Sequence, residues 1–90
     1  MSKYPTKVLK SDPLNSEGEF CSLYESIMDY LKSESEPLSR TTDSLNVYHM
    51  NGNTITLRGT LGESIWINII GEDSKDISSR LLEKFPKLKI

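Results

Sequence analysis

The sequence predicts a small α+β domain, in which a helix, a three-stranded antiparallel meander and a second helix follow one another with both helices on one face of the sheet. Three observations support this fold class. A helical apolar period comes first, alternating segments with glycine-containing turns follow, and a second helical period comes last. The 90 residues are enough for one domain with a single core. An apolar fraction of 36% and a charged fraction of 27% are ordinary for a globular protein.

The beginning of the chain is predicted to lie outside the packed domain. Residues 1–14 contain prolines and show no helical period, so we expect an extended or flexible N-terminal arm. The α-β-β-β-α domain is expected over residues 15–90. Within it, residues 32–44 are rich in serine and threonine and contain Pro37, which predicts a polar linker after the first helix.

The first helix is predicted to begin after Ser16. This residue and Glu19 have the spacing of a capping box, in which each side chain binds a free backbone N–H group of the other residue. Apolar side chains then recur with a period of 3.6 residues. They are Phe20, Leu23, Tyr24, Ile27, Met28 and Leu31. Cys21 lies at the margin of this stripe, so we expect it to be partly buried and unreactive.

Three strands are predicted after the linker. Alternation over residues 45–50, 53–59 and 63–70 indicates β-structure, and Asn51-Gly52 is a strong hairpin signal. One parity of these segments is apolar and is expected to face the helices. Its members are Leu45, Val47, Ile55, Leu57, Ile65, Ile67 and Ile69.

The register of the meander is predicted from this parity. A two-residue loop at the Asn-Gly turn would set the apolar Val47 opposite the polar Thr56. We prefer an odd-length loop, because it sets Val47 opposite Ile55 or Leu57 instead. The second turn is expected to be a three-residue loop that pairs Leu57 with Ile65.

The second helix is predicted to begin at Asp73 or Ser74, either of which suits an N-cap. Its apolar stripe consists of Ile77, Leu81, Leu82 and Phe85. Pro86 ends the helix. Residues 87–90 alternate again and predict a short extra strand at a sheet edge.

The most apolar run of the chain, residues 63–71, is apolar on both faces of a strand. Such a strand needs cover on both sides, and this one carries no internal charge to protect a free edge. Either residues 87–90 or another protein chain is expected to pair with this edge.

Side chains suited to catalysis are scarce. His49 is the one histidine, and its parity predicts a partly buried structural side chain. One histidine and one cysteine at distant positions do not provide a metal site, and no phosphate-binding or nucleophile motif is present. We therefore expect a protein that is not an enzyme and that uses no metal and no cofactor.

The sheet face opposite the helices is expected to bind a partner. Its side chains belong to types that are enriched at interface hot spots. The predicted binding residues are Tyr48, Met50, Arg58, Trp66 and Ile70. The other interpretation is that the arm of residues 1–14 folds back over this face and buries Trp66.

These features predict a non-catalytic protein–protein interaction module, which acts as a homodimer or as a small subunit of a larger intracellular complex. Binding is expected through the open sheet face or the edge of the third strand. The alternative is an RNA-binding module that uses a basic C-terminal edge. Its candidate residues are Arg80, Lys84, Lys87 and Lys89.

The RNA-binding alternative draws on the order of the elements. Helix, three strands and helix resemble the order in double-stranded-RNA-binding domains and in the small Alu-binding subunits of the signal recognition particle, a likeness of element order alone. These families place basic clusters at the second helix or in loops. Here residues 72–76 open that helix with three acids, and the net charge of −2 disfavours general nucleic-acid binding.

The expected setting is intracellular, either cytoplasmic or nuclear. Cys21 has no second cysteine with which to form an internal disulfide. No signal peptide and no long apolar run are recognisable, so we also expect no membrane segment.

Overall fold

A computed structural model describes residues 5–35, 40–41 and 45–90. Within these residues the chain forms a six-stranded antiparallel sheet, in the order β2-β3-β4-β5-β1-β6, and two helices. The elements are β1 (Thr6–Ser11), α1 (Glu17–Glu34), β2 (Arg40–Thr41), β3 (Leu45–Met50), β4 (Asn53–Gly59), β5 (Ile65–Ile70), α2 (Ser74–Lys84) and β6 (Leu88–Lys89). Much of the predicted linker, at 36–39 and 42–44, lies outside the described residues.

Both helices pack on the same face of the sheet, which confirms the predicted fold class. Helix α1 contacts β3, and α2 contacts β1 and β5. The helices contribute Ile27, Leu31, Ile77 and Leu81 to the core. The sheet contributes Leu9, Tyr48, Ile55, Leu57, Ile65, Ile67 and Ile69, all of which are fully buried. Burial of each such side chain stabilises the fold by about 1.5–3 kcal/mol.

Helix α1 begins as predicted. The backbone N–H of Glu19 donates to the Ser16 side-chain oxygen at 3.4 Å, which satisfies one of the free donors of the first turn. Ile27 and Leu31 are buried, and the other members of the predicted stripe are half-buried against the core. The predicted partial burial of Cys21 is wrong, because this residue lies on the solvent side of the helix and is exposed.

The N-terminal arm is a strand of the sheet. Residues 6–11 form β1, which pairs with β5 on one side and with β6 on the other. Leu9 lies opposite Ile67 and is fully buried. The described part of the arm therefore neither stands apart from the domain nor covers the open face. It pairs with the free edge of β5, because that strand is apolar on both faces and its edge needs backbone partners.

The short C-terminal strand is present, but it does not pair with β5. Leu88 lies opposite Ser11 on β1, so β6 is the outermost strand at this side of the sheet. Neither of the two partners expected for the edge of β5 occupies it. The β1 strand takes that position, and it also buries the Ser11 hydroxyl, which accepts a hydrogen bond from the Ile65 N–H at 2.9 Å.

The predicted register of the first hairpin is wrong. The loop has two residues, Asn51 and Gly52, with φ angles of 51° and 82°, and Val47 lies opposite Thr56. Two successive positive φ angles match the twist of the flanking strands, as in a type I′ turn. The buried parity of β3 is consequently the other one, which carries Asn46, Tyr48 and Met50.

Two buried asparagines explain why the apolar pattern predicted the wrong parity. The Asn46 amide donates to the Tyr24 hydroxyl at 2.7 Å. The Asn53 amide donates to the Met50 carbonyl at 2.9 Å and to the Asp73 carboxylate at 3.1 Å. Because these amides have partners, the core accepts polar residues at positions that apolar patterning would exclude.

The second turn is longer than expected. Gly59 lies opposite Ile65, so the loop spans residues 60–64, and Leu57 pairs with Ile67 instead of Ile65. The difference of two residues preserves parity, so the inward positions of β4 and β5 are as predicted. The segment after β1 holds this loop, since the Gly62 N–H donates to the Leu14 carbonyl at 2.7 Å.

Helix α2 begins at Asp73, one of the two predicted caps, but the Asp73 side chain does not cap the helix. Its carboxylate accepts from the Asn53 amide, and its N–H donates to Asn53 Oδ1 at 3.0 Å. This pair ties the first hairpin to the start of α2. Neither described helix is long and apolar enough to cross a membrane.

Candidate partner-binding surface

The sheet face away from the helices is not covered by any described element. We call this surface the open face and define it by three rows of residues that lie side by side across the strands. The first row is Lys89, Lys10, Trp66 and Arg58. The second row is Val8, Asn68, Thr56 and Val47. The third row is Thr6, Ile70, Thr54 and His49.

Three of the five predicted binding residues lie on the open face. Arg58 is exposed, Trp66 is half-buried and Ile70 is 43% exposed. Arg58 and Trp66 are direct cross-strand partners. Ile70 lies four residues further along β5, on the same face, so the three side chains belong to one surface.

The placement of Tyr48 and Met50 on this face is wrong. Tyr48 is fully buried and Met50 is 9% exposed, both on the helix side of β3. The cause is the two-residue turn, because a change of one residue in the loop moves every side chain of the strand to the other face. The same change moves His49, which was predicted to point inward, to the exposed surface.

The structure adds residues that the sequence analysis did not assign to this surface, among them Lys10 and Val8. Both come from β1, and Val8 is 39% exposed. Burial alternates over residues 6–11 in the structure. The sequence does not show this alternation clearly, because Leu9 is the one apolar residue on the inward side.

Trp66 lies between two cations. The Lys10 ammonium is 5.5 Å from the centroid of the Trp66 ring, a distance suited to a cation–π interaction. Arg58 is the cross-strand partner of Trp66 on the opposite side. The row Lys10–Trp66–Arg58 therefore places an aromatic surface between two positive charges.

These two cations have no carboxylate partner among the described residues. The ion pairs there join Arg80 to Asp76 at 3.1 Å and Lys89 to Asp12 at 3.1 Å. Lys89 is thus neutralised at the edge of the open face. Lys10 and Arg58 remain available to an anionic group from outside the domain.

A pocket of about 310 Å³ lies at the Arg58 end of the row. Arg58 and Trp66 form one wall, and the loop that follows β4 forms the other with Thr60, Glu63 and Ser64. The pocket is large enough for a single side chain of a partner. Glu63 places one carboxylate at its rim, without an ion pair to Arg58.

The helix-facing side of β3 carries a small polar cluster that is not part of the open face. Tyr24 and Tyr48 both have a raised pKa, chiefly because burial disfavours the phenolate. Burial, together with Tyr24 and Asp29, raises the pKa of Tyr48 to about 12. The Tyr48 hydroxyl is buried without a hydrogen-bond partner in the described part of the chain. This cluster belongs to the core, so it affects stability and does not contact a ligand.

A second concave surface lies between the helices. A groove of about 500 Å³ separates the first half of α1 from the end of α2. Its walls include Ser22 and Leu23 on one side and Phe85 and Lys87 on the other.

In the described ranges 5–35, 40–41 and 45–90, no three histidine, cysteine, aspartate or glutamate side chains are placed to hold a metal ion.

No family model, curated protein or solved structure is significantly similar to this chain.

Proposed function

We propose that the protein is a non-catalytic protein–protein interaction module that binds its partner through the open face. The observation that carries the proposal is the row Lys10–Trp66–Arg58, with exposed Ile70 and Val8 beside it, on a sheet face that neither helix covers. Tryptophan and arginine are the residue types most enriched among interface hot spots. Exposed aliphatic side chains next to them supply apolar area for burial.

The form with most support is a small subunit of a larger complex. The edge of β5, which was one candidate for pairing with another chain, is occupied by β1. Association through the open face does not need that edge. We include an intracellular setting, cytoplasmic or nuclear, in the proposal, because exposed Cys21 is unpaired and suits a reducing compartment.

The experiment is affinity capture from the source cells with matched variants of the immobilised chain. Trp66→Ala and Arg58→Glu alter the open face. Leu82→Ala and Lys75→Glu make comparable changes on α2. We expect a partner that the wild-type chain and the α2 variants retain and that the open-face variants lose, with all variants folded by circular dichroism. Retention of the same proteins by all five chains would contradict the proposal.

RNA binding through the C-terminal edge has less support. Arg80 is paired with Asp76 and Lys89 with Asp12, while the Lys84 ammonium lies 5.3 Å from the Tyr30 ring centroid. These contacts lower the free positive charge of that edge. A gel shift with double-stranded RNA at low salt tests it, and a shift lost in Lys84→Glu would favour this function over protein binding.

A further inference from the structure

We infer that the partner places an acidic protein segment on the open face, with its carboxylates bound by Lys10 and Arg58 on either side of Trp66. This inference rests on the proposed function and specifies the partner's chemistry. The groups that bind are the aspartate or glutamate side chains of another protein. The inference follows from the charges of the surface, its aliphatic content and the distribution of acids over the domain.

The open face is basic where its charge is not already neutralised. Lys10 and Arg58 are exposed and lack an ion-pair partner in the described residues, whereas Arg80 and Lys89 each have one. Neighbouring strands lie about 4.8 Å apart, so the Cα atoms of Lys10 and Arg58, with β5 between them, are about 10 Å apart. A carboxylate between the two strands, at the edge of the Trp66 side chain, is within reach of both long side chains.

The opposite surface of the domain is acidic. Helix α1 carries five acids and a single base, Lys32. The acids are Glu17, Glu19, Glu25, Asp29 and Glu34. The acids of α1 thus place negative charge on the helix side, whereas Lys10 and Arg58 attract an approaching anion to the sheet side.

A second copy is a poor occupant of this surface. Two open faces packed together would set Lys10 and Arg58 of one copy against the same residues of the other. Asp12 is already paired with Lys89, which leaves Glu63, at the rim of the pocket, as a single acid against the two cations of the facing copy. Like charges set against each other in an interface disfavour association. Charge complementarity therefore selects a different, acidic chain.

The apolar content separates a protein segment from a nucleic acid. Among the described residues that define the open face, Trp66 is the only phenylalanine, tyrosine or tryptophan. Single-stranded nucleic acid is usually bound by several stacked aromatic side chains. Val8 and Ile70 lie on adjacent strands, one diagonal step apart, and are 39% and 43% exposed. Such a patch fits an aliphatic side chain of the partner.

The test uses the fluorescence of Trp66, which reports directly on the site because it is the only tryptophan in the chain. The full chain is titrated at low salt with a short synthetic peptide that alternates glutamate and valine. We expect saturable binding that weakens with salt, and binding about fivefold weaker in Lys10→Ala and in Arg58→Ala. Lys75→Ala, a matched lysine on α2, is expected to bind like the wild type.

Three results would overturn the inference. They are equal binding of a peptide with glutamine in place of glutamate, unchanged binding in the Lys10 and Arg58 variants, and tighter binding of oligouridylate than of the glutamate peptide. A charge-reversed chain, Lys10→Glu with Arg58→Glu, is expected to prefer a lysine–valine peptide. If capture from cells depends on Trp66 but the glutamate peptide leaves its fluorescence unchanged, the interaction module stands and the acidic partner does not.

Discussion

Gly71 and Asn53 determine how the end of β5, the first hairpin and the start of helix α2 pack together. Gly71 has a φ of 148°, and a Cβ atom there would lie 2.9 Å from the Asn53 Cα and would overlap the Asn53 side chain. Asn53 in turn binds Asp73 at the start of α2. A methyl group at Gly71 would therefore displace Asn53 and disturb the end of β5, the first hairpin and the start of α2 together.

We predict that Gly71→Ala lowers the free energy of unfolding by about 2–3 kcal/mol, because it combines backbone strain with displacement of a buried amide. Urea unfolding measures the loss. Gly18→Ala is the matched control, since its nearest neighbour would be Ser16 Oγ at 3.9 Å and alanine favours the helix. Equal stability of the two variants would contradict the role given to the Gly71–Asn53 contact.

A second prediction concerns Tyr48 at high pH. Its pKa is raised to about 12 in the fold, whereas an unperturbed tyrosine ionises near pH 10. Between these values the folded protein keeps a proton that the unfolded chain loses, so the free energy of unfolding falls as pH rises through this window. Below about pH 10 the contribution is complete. Urea unfolding between about pH 9 and pH 12 should show the fall.

Tyr48→Phe is expected to lessen this alkaline loss of stability. At neutral pH the substitution should be neutral or stabilising by up to about 1 kcal/mol, because it removes a buried hydroxyl that has no described partner. A destabilisation of several kcal/mol at neutral pH would mean that the hydroxyl does have an essential contact.

At the scale of elements, β1 changes the architecture from a three-stranded meander to a sheet with a filled edge. It places Leu9 in the core and Val8 and Lys10 on the open face. The strand is thus both a structural element and part of the candidate binding surface. A loose arm would have neither effect.

We predict that Leu9→Ala destabilises the protein by about 2–5 kcal/mol, because it leaves a cavity in the core. Val8→Ala, one residue away on the open face, should change stability by less than about 0.5 kcal/mol. Thermal or urea unfolding measures the loss of stability in both variants. Similar small effects from the two substitutions would indicate that β1 does not pack as described.

The sequence was sufficient to predict the elements that repeat a clear period. Helix α1, helix α2 and the inward parity of β4 and β5 follow from apolar spacing over many residues. The β1 strand was missed because Leu9 is its only inward apolar residue, and Ser11 gives no apolar signal although it is buried. The parity of β3 failed because Asn46 is buried and satisfied by Tyr24, a partner 22 residues away.

The candidate surface was predictable only where parity was correct. Arg58, Trp66 and Ile70 belong to β4 and β5, whose alternation is regular, and all three lie on the open face. Tyr48 and Met50 depended on the loop length of the first hairpin. Lys10 depended on a long-range strand pairing that no local pattern contains.

At the scale of the whole molecule, charge is divided between the two surfaces. Acids dominate α1, and the unpaired bases Lys10 and Arg58 occupy the sheet side. We expect a domain with this distribution to associate more readily with an acidic partner than with itself in a closed dimer. Its binding is expected to depend on ionic strength.

We predict that the purified chain is monomeric at physiological salt, because a symmetric dimer through the open face would oppose two basic rows. Light scattering on a sizing column, over a wide range of concentrations, measures this. A stable dimer that Arg58→Glu disrupts would contradict both the prediction and the acidic-partner inference. The α2 variant Lys75→Glu serves as the control for a general change in charge.

The position of β1 also determines how late the domain can finish folding during synthesis. The Ser11 hydroxyl meets the Ile65 amide across 54 residues of chain, so β1 has no β5 partner until the meander that follows it has been synthesised. Until then, Leu9 has no core to enter. The meander can form early, but its β5 edge is closed only when β1 pairs with it. Folding should therefore be slow for so small a domain, with the final docking of β1 as its late step.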